Sequence, residues 1–195
     1  MRIGVDLDGC VYNFTEALAN YIYTKSGLAL SAVPSCWEFY KTDWGMELDE
    51  YLKWFEDGVN AGEVFRTGEP FPDSVETLDI LADMGHSLYI ITDRGVGDPE
   101  IVTDSTKEWL SNWDIPHAGL IISSDKTSAP TDYFIDDRPK NVDALRAVGT
   151  KAFLLKSPPG ADYPRKDQAG HPYLIDSWAD FLKIIQEEDN SKIHV

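Results

Sequence analysis

Five short apolar runs, separated by helix-like segments, constrain this chain more than any other feature of its sequence. The runs are rich in β-branched or aromatic residues, as expected of buried strands; they span residues 2–6, 87–92, 119–122, 133–136 and 151–155. A shorter run at 172–175 is predicted to form an edge strand. Strands that alternate with helices predict a mostly parallel sheet with helices on both faces. We therefore predict an α/β fold.

Helical patterns fill the intervals between the predicted strands. Asp73 and Glu76 fit a capping box at the start of a helix that ends near Gly85. Further helices are predicted to begin at Asp98 followed by Pro99, at Pro139 and at Ser177. Apolar and small residues recur with helical spacing, and we expect one side of each helix to face inward. These residues are Val75, Leu78, Leu81 and Ala82; Ile101, Val102, Ser105, Trp109 and Leu110; Val142, Leu145 and Val148; and Trp178, Phe181, Leu182 and Ile185.

The segment from residue 14 to residue 71, called here the inserted segment, interrupts this alternation. Helices are predicted near residues 15–26 and 48–61, with loops between them. The segment is rich in aromatic residues, which either pack in its own core or line a ligand site; they include Trp37, Phe39, Tyr40, Trp44, Trp54 and Phe55. We predict an α/β core formed by residues 1–13 and 72–188, a small helical domain at 14–71, and a flexible tail at 189–195. Residues 157–171 are predicted to form a polar loop.

The charge of the chain limits the partners it can have. The formal net charge is -17, from 34 acidic and 17 basic residues, which argues against an extended nucleic-acid surface and fits a small-molecule ligand. Two cysteines without metal-type spacing, no signal-peptide pattern and no membrane-length apolar stretch predict a cytoplasmic protein that does not bind membranes. The sequence leaves open whether the chain forms a homodimer.

Ionisable or hydroxyl side chains follow four of the predicted strands. Parallel strands end at a common edge, where such sheets bind ligands, so we expect these side chains to meet. Four carboxylates at one edge repel one another unless a hard cation binds, and oxygen ligands without His favour Mg²⁺. The residues are Asp6, Asp8, Thr92, Lys126, Asp136 and Asp137.

Four motifs carry a family resemblance. "DLDGCVYNF", "IITDR", the "DK" of "SSDKTSAP", and "YFIDDRP" resemble, in order and in strand context, the motifs of the haloacid dehalogenase superfamily of aspartate-nucleophile phosphatases. The inserted segment lies where this superfamily places a C1 helical cap, and the chain resembles the 5'(3')-deoxyribonucleotidase family in particular. The likeness covers most of residues 1–155. It implies a Rossmann-like parallel core with a small α-helical cap, Mg²⁺ as cofactor and a small phosphomonoester as substrate.

Phosphomonoester hydrolysis gives Asp6 and Asp8 different roles. The negative charge of a phosphate monoester repels nucleophiles, so the site must neutralise that charge and hold the attacking atom in line. Asp6 is expected to be the nucleophile, forming an aspartyl-phosphate, and Asp8 the general acid and base. Their spacing of two residues directs both side chains to one side, and Gly9 allows the chain to turn away.

The resemblance also implies roles for the other residues. The metal ligands would be the Asp6 carboxylate, the backbone carbonyl of Asp8 and the Asp137 carboxylate, with Asp136 holding a metal-bound water. Thr92 would donate a hydrogen bond to the phosphoryl oxygens. Lys126 would contact both the phosphate and the nucleophile.

The inserted segment is expected to select the substrate. Phe14 matches the position at which deoxyribonucleotidases place an aromatic ring against the nucleobase, and Trp37 and Phe39 are candidates for the opposite wall. Stacking tolerates several bases, so it predicts no base preference. The expected substrate is a deoxyribonucleoside 5'-monophosphate.

Two features of the motifs depart from the family pattern. The second motif continues with Asp93 and Arg94 where a small polar residue is usual, and Arg94 is expected to pair with Asp93 or to reach the substrate. Arg138 fits a binding or a structural role.

The chemistry also leaves alternatives open. One is a phosphatase acting on a sugar phosphate, a phosphoprotein or a nucleic-acid phosphate end. Others are a phosphonate hydrolase or dehalogenase, which Asp8 as an acid disfavours, and a non-catalytic binding module, which the presence of both Asp6 and Asp8 disfavours.

Overall fold

A computed structural model describes the backbone of residues 1–193 and the side chains of residues 1–191. Within this range one six-stranded sheet has the order β3-β2-β1-β4-β5-β6, and every pairing is parallel. The predicted parallel α/β fold is confirmed, and each predicted strand is present. The strands are β1 Arg2–Val5, β2 Ser87–Thr92, β3 Gly119–Ile122, β4 Tyr133–Asp136, β5 Lys151–Leu155 and the edge strand β6 Leu174–Ile175.

Helices connect the strands and form most of the inserted segment. The last of them, α7, continues to Ile193 and so covers most of the predicted tail. The flexibility of that tail stays a prediction, and residues 194–195 lie outside the described part of the chain. The helices are α1 Phe14–Ser26, α2 Phe39–Thr42, α3 Leu48–Asn60, α4 Ser74–Asp83, α5 Pro99–Asn112, α6 Pro139–Ala147 and α7 Trp178–Ile193. Among the described residues, none of these helices combines the length and apolar character that a membrane span requires.

Two details of the helix predictions were wrong. The capping box at Asp73 does not form: this residue has φ of 65° and its side chain caps no backbone N–H. Val148 was predicted to face inward but is 64% exposed, because α6 ends at Ala147 and the chain turns out toward Gly149. By contrast, the Asp98 carboxylate accepts hydrogen bonds from the backbone N–H groups of Glu100 and Ile101, as a helix N-cap should.

Apolar residues on both faces of the sheet bury the strands. Trp178 of α7 packs under the loop that follows β1, and its indole N–H donates to the Cys10 carbonyl at 3.0 Å. The inserted segment has its own apolar cluster, to which Val102 of α5 and Ile122 of β3 also contribute. The apolar cluster of the inserted segment and the apolar core around the sheet therefore meet at the carboxyl edge of the sheet. The division of the chain into domains stays a prediction.

Gly4 illustrates how closely β1 and β4 approach. A Cβ at this position would overlap the ring of Phe134, which is itself fully buried. We expect Gly4→Ala to lower the free energy of unfolding by about 1–3 kcal/mol, as overpacking does in tight cores. Urea denaturation measures this loss. Gly119→Ala is the matched control in the same sheet, since its Cβ would lie 3.2 Å from the Tyr89 ring; an equal loss in both variants would contradict the prediction.

Candidate active site

A cleft of about 500 Å³ opens at the carboxyl edge of the sheet. Its floor is formed by charged residues that follow the strands, and its walls are formed largely by aromatic residues of the inserted segment. The floor includes Asp6, Asp8, Lys126 and Asp137. The sheet thus brings together at one edge residues that are 120 or more positions apart in the chain.

The loop after β1 turns sharply to present Asp6 and Asp8. The backbone N–H groups of Cys10, Val11 and Tyr12 all donate to the Leu7 carbonyl at 2.8–3.0 Å. Gly9 has φ of 85°, and a Cβ there would overlap the Asp137 carboxylate. Only glycine suits both conditions, because it adopts positive φ freely and lets Asp137 approach the backbone.

Lys126 is held against Asp6 in the buried floor. Its Nζ lies 2.6 Å from Asp6 Oδ1 and also donates to the Ile91 carbonyl at 2.7 Å. Burial raises the pKa of Asp6 well above its ordinary value; Lys126 opposes this, and the neighbouring carboxylates add to it. Burial lowers the pKa of Lys126, but the surrounding carboxylates, Asp6 first, leave it raised. Lys126 is therefore a protonated cation in direct contact with Asp6.

The adjacent carboxylates at the end of β4 have different surroundings. Both oxygens of Asp136 accept hydrogen bonds from the Asn141 amide, and one also accepts from the Arg138 N–H. Asp137 Oδ2 accepts from Arg165 Nη1 at 2.7 Å, and Arg165 Nη2 donates to the Asp137 carbonyl. Burial raises the pKa of both carboxyls, that of Asp136 to about 6, although Arg165 opposes the rise at Asp137. Both oxygens of Asp136 are thus hydrogen-bonded within the protein, whereas Arg165 contacts only one oxygen of Asp137.

Two buried oxygen atoms in this region have no hydrogen-bond partner among the described residues: Asp137 Oδ1 and Thr92 Oγ1. A buried polar atom without a partner is costly, so such atoms indicate a ligand or ion. One ligand atom from each of Asp6, Cys10 and Asp137 can be found within 4.8 Å of the others. Burial raises the pKa of the Cys10 thiol, which keeps it protonated and a poor metal ligand. The available donors are therefore carboxylate oxygens.

The side chain of Arg94 does not make the contacts expected of it. It was expected to pair with Asp93 or to reach the substrate, but its guanidinium is buried and bound to the Asp8 carboxylate at 2.8 and 3.1 Å. It does not line the cleft, whereas Asp93 does. Asp93 instead faces Arg138 at 3.8 Å. The predicted substrate contact of Arg94 therefore has no support in this geometry.

Aromatic rings form the wall opposite the charged floor. Phe14 lines the cleft and contacts Phe55 edge to face, with ring centroids 4.9 Å apart. Tyr51, also in the wall, stacks on Tyr40 at 4.6 Å. The cleft is bounded here by flat apolar surfaces suited to a planar apolar group.

Trp37 and Phe39, the candidates for the wall that faces Phe14, also line the cleft. Phe39 is mostly buried within the aromatic cluster. Trp37 is 45% exposed and lies against the guanidinium of Arg138 at 3.9 Å. Ligand contact is therefore open to both residues, whereas core packing describes Phe39 and not the exposed Trp37.

Sequence reasoning missed Arg165, Gln168 and Asn141. The first two lie in the loop predicted only as polar, yet Gln168 is fully buried and its amide donates to the carbonyls of Asp137 and Leu155. Asn141 lies on α6, one turn after Asp137. Its position about one helical turn after the "DD" pair could have indicated a contact with those carboxylates. Nothing in the sequence marks Arg165 as the partner of Asp137, 28 positions earlier.

This chain is similar to several known proteins. A family model described as "5' nucleotidase, deoxy (Pyrimidine), cytosolic type C protein" matches residues 1–188. A "Putative 5'(3')-deoxyribonucleotidase" of Chlorobaculum tepidum is 29% identical over 150 residues, covering 75% of this chain and 74% of that protein.

Solved structures show the same fold. A "predicted phosphoglycolate phosphatase" from Haemophilus somnus 129PT has a TM-score of 0.55 at 20% identity, covering 94% of this chain and 96% of that one. A "D,D-heptose 1.7-bisphosphate phosphatase" from B. bronchiseptica, complexed with magnesium and phosphate, has a TM-score of 0.51 at 12% identity, covering 96% and 98%. At these identities the two structures establish the fold alone.

The raised pKa of Asp136 predicts a pH dependence of stability in metal-free protein. The pKa rises from 3.8 to about 6 on folding, so the folded state binds more protons between these values. This contribution to stability is complete below pH 3.8 and is lost as pH rises through about 6. Asp136→Asn removes the titration and keeps the shape.

We therefore expect Asp136→Asn to gain stability relative to the wild type as pH rises through that range in the presence of a chelator. Urea unfolding at a series of pH values measures the difference. Asp79→Asn, an exposed residue of α4, is the control. A difference between Asp136→Asn and wild type that stays constant with pH would refute the prediction.

Proposed function

Because this chain belongs to the 5'-nucleotidase family described as deoxy (pyrimidine), cytosolic type C, we propose that it hydrolyses deoxyribonucleoside 5'-monophosphates with Mg²⁺ through an aspartyl-phosphate. The family and the haloacid dehalogenase superfamily expected from the four motifs are confirmed. The chain is accordingly a phosphoric monoester hydrolase of the nucleotidase type. The metal, the covalent intermediate and the deoxyribonucleotide substrate are our proposals.

One observation carries the proposed chemistry. Asp6, Asp8 and Lys126 line one cleft whose opposite wall is aromatic. Asp6 offers a carboxylate nucleophile and Asp8 a second carboxyl within the same loop. Lys126 supplies positive charge beside the nucleophile, where a phosphoryl group would otherwise be repelled.

The donor set fits a hard divalent cation. Asp137 Oδ1 is buried and has no hydrogen-bond partner within the described part of the chain, and Asp6 lies close enough to share an ion with it. Carboxylate oxygens are the donors that Mg²⁺ prefers. We propose that Asp6, Asp137 and the Asp8 carbonyl would hold Mg²⁺. Asp136 would contact a metal-bound water through Oδ2, which accepts from Asn141 and carries a second lone pair. When bound, Mg²⁺ would neutralise charge on the phosphoryl oxygens.

The side chains of the cleft would perform two displacements. A carboxylate oxygen of Asp6 attacks phosphorus as Asp8 donates a proton to the departing ester oxygen. Asp8 then takes a proton from water, which attacks phosphorus and releases phosphate from Asp6. Lys126 holds the nucleophile and neutralises the phosphoryl group throughout. The Thr92 hydroxyl, which is fully buried and has no hydrogen-bond partner among residues 1–191, would donate to a phosphoryl oxygen.

The aromatic wall supports a nucleotide as substrate. We propose that the inserted segment acts as a cap whose residues Phe14, Trp37 and Phe39 contact the nucleobase while the phosphate lies on the charged floor. The curated relative is named for 5'(3')-deoxyribonucleotides, which supports the same substrate. Arg138 is available at the mouth of the cleft, 29% exposed, to contact the sugar or phosphate.

Phosphate release from a substrate panel tests the proposal. The panel contains deoxy- and ribonucleoside 5'-monophosphates, sugar phosphates and a 5'-phosphorylated oligonucleotide, each with Mg²⁺ and with a chelator. We expect Mg²⁺-dependent release that is strongest on deoxyribonucleotides. Asp6→Asn should abolish turnover without unfolding the protein, because it removes the nucleophile.

Asp93→Asn is the control for this variant, since it removes a carboxylate beside the same cleft and should retain turnover. Faster release from sugar phosphates or from the oligonucleotide would reject the substrate but keep the chemistry. Turnover by Asp6→Asn close to wild type would reject the mechanism.

Phe14→Leu tests the role of the aromatic wall. Loss of base stacking should lower kcat/KM for a deoxyribonucleotide by about tenfold, the lower range for one base–aromatic contact. Release from glycerol phosphate, which has no ring to stack, should stay near the wild-type rate. Phe153→Leu, on β5 and outside the cleft, controls for loss of an aromatic residue. Equal losses on both substrates would show that Phe14 only packs.

A further inference from the structure

Arg94 holds the Asp8 carboxylate through both of its oxygens. The guanidinium Nη2 donates to Oδ1 at 2.8 Å and Nε donates to Oδ2 at 3.1 Å. This fork geometry fixes the plane of the carboxylate as well as its position. Arg94, the last residue of the "IITDR" motif, therefore holds the loop that follows β1.

The arginine is itself fixed on its remaining sides. Nη1 donates to Thr106 Oγ1 on α5 at 2.9 Å. The guanidinium lies 4.1 Å from the ring centroid of Phe65 and 4.8 Å from that of Tyr12. With its side chain fully buried, Arg94 has one rigid arrangement, which combines a carboxylate, a hydroxyl and two aromatic rings.

The exposure of the pair is one-sided. The Asp8 side chain is 23% exposed, and that of Arg94 is not exposed at all. Asp8 lines the cleft beside Asp6, whereas Arg94 lies behind it. A purely structural ion pair has no need to present one partner to a ligand cleft, and a substrate-binding arginine would have to be exposed there. The geometry fits a residue that acts through Asp8.

We propose that Arg94 is a positioning residue that holds Asp8 in line with the departing ester oxygen. The inference rests on the proposed function, in which Asp8 delivers a proton to that oxygen as the P–O bond breaks and the bond from Asp6 to phosphorus forms. Asp8 is left as a carboxylate, which the Arg94 fork stabilises without moving. Asp8 regains its proton from the water that releases phosphate from Asp6.

Proton delivery has a signature that general damage lacks. An alkyl ester oxygen leaves poorly without a proton, whereas a 4-nitrophenyl oxygen leaves well as the anion. A misplaced acid therefore slows alkyl esters selectively, by roughly 10²–10⁴-fold at most. Loss of folded protein or a distorted cleft slows both esters together.

The experiment compares kcat/KM for an alkyl phosphate, a deoxyribonucleoside 5'-monophosphate, with kcat/KM for 4-nitrophenyl phosphate. This ratio reports transfer of the phosphoryl group to Asp6, whereas kcat also includes the later hydrolysis of the aspartyl-phosphate, in which Asp8 serves both esters alike. Arg94→Met removes the fork but keeps an unbranched apolar chain between the two rings. We expect kcat/KM for the nucleotide to fall by about 10²-fold and kcat/KM for the aryl ester by less than about tenfold. Asp8→Asn, which removes the acid itself, should show the same selectivity and set its upper limit.

Two milder variants keep the test valid if Arg94→Met unfolds. Arg94→Lys keeps the charge but cannot form the fork. Thr106→Val removes the Nη1 partner, together with the hydrogen bond that the Thr106 hydroxyl donates to the Val102 carbonyl. Both variants should slow the alkyl ester more than the aryl ester, by a smaller factor than Arg94→Met does. Arg146→Met is the matched control, because Arg146 likewise stacks on an aromatic ring and donates to a carbonyl, but it does so outside the cleft. It should alter the two rates equally.

The outcomes separate this inference from the proposed function. Equal losses on both esters in the Arg94 variants, with selectivity in Asp8→Asn, would overturn the positioning role and leave the function intact. Absence of selectivity in Asp8→Asn would overturn the acid role and the inference together. If the wild type prefers another alkyl phosphate, that ester replaces the nucleotide in the comparison, so an error in the substrate does not decide the role of Arg94.

Discussion

Compensation of buried negative charge is the constraint on which the rest of this structure depends. Four carboxylates lie at the carboxyl edge of one sheet, and burying an anion without a partner is prohibitively costly. Three of them contact a buried side-chain cation: Asp6 with Lys126, Asp8 with Arg94, and Asp137 with Arg165. The chain therefore supplies cations of its own against this repulsion, in addition to the Mg²⁺ proposed for the site.

These cations do more than neutralise charge, because they differ in how many oxygens of their carboxylate they leave free to bind a ligand. Lys126 contacts one oxygen of Asp6. Arg165 contacts one oxygen of Asp137, and the other oxygen has no partner among the side chains that the structure describes. Asp136 differs, since the uncharged amide of Asn141 satisfies both of its oxygens. Carboxylates of the same chemical type thus have different hydrogen-bonding states, which is the condition for giving them different roles in one reaction.

The inserted segment is joined to this edge through buried polar contacts as well as through apolar packing. Trp109 of α5 donates its indole N–H to the Gly68 carbonyl at 2.6 Å. Tyr12 accepts from the Gly68 N–H and donates to the Val64 carbonyl. Arg94, between the rings of Tyr12 and Phe65, belongs to the same junction. The residues that orient Asp8 therefore also anchor the end of the segment that carries the aromatic wall.

The sequence by itself determined the sheet, its parallel direction and the placement of Asp6, Asp8, Lys126 and Asp137 at one edge. These follow from local patterns, namely apolar runs and the polar residues directly after them, together with the rule that parallel strands end at a common edge. The same reasoning recovered most helix bounds, and it failed at Asp73 and Val148, where local backbone geometry departed from the usual cap and helical face.

Only the tertiary structure decided which carboxylate each arginine pairs with. Arg165 reaches Asp137 from a loop with no recognisable motif, and Arg94 turns away from its neighbour Asp93 to bind Asp8, 86 positions earlier in the chain. Such choices depend on the relative burial of distant groups and on the space between packed rings. Spacing along the sequence carries no information about either, because electrostatic and packing energies act through distances in the folded chain.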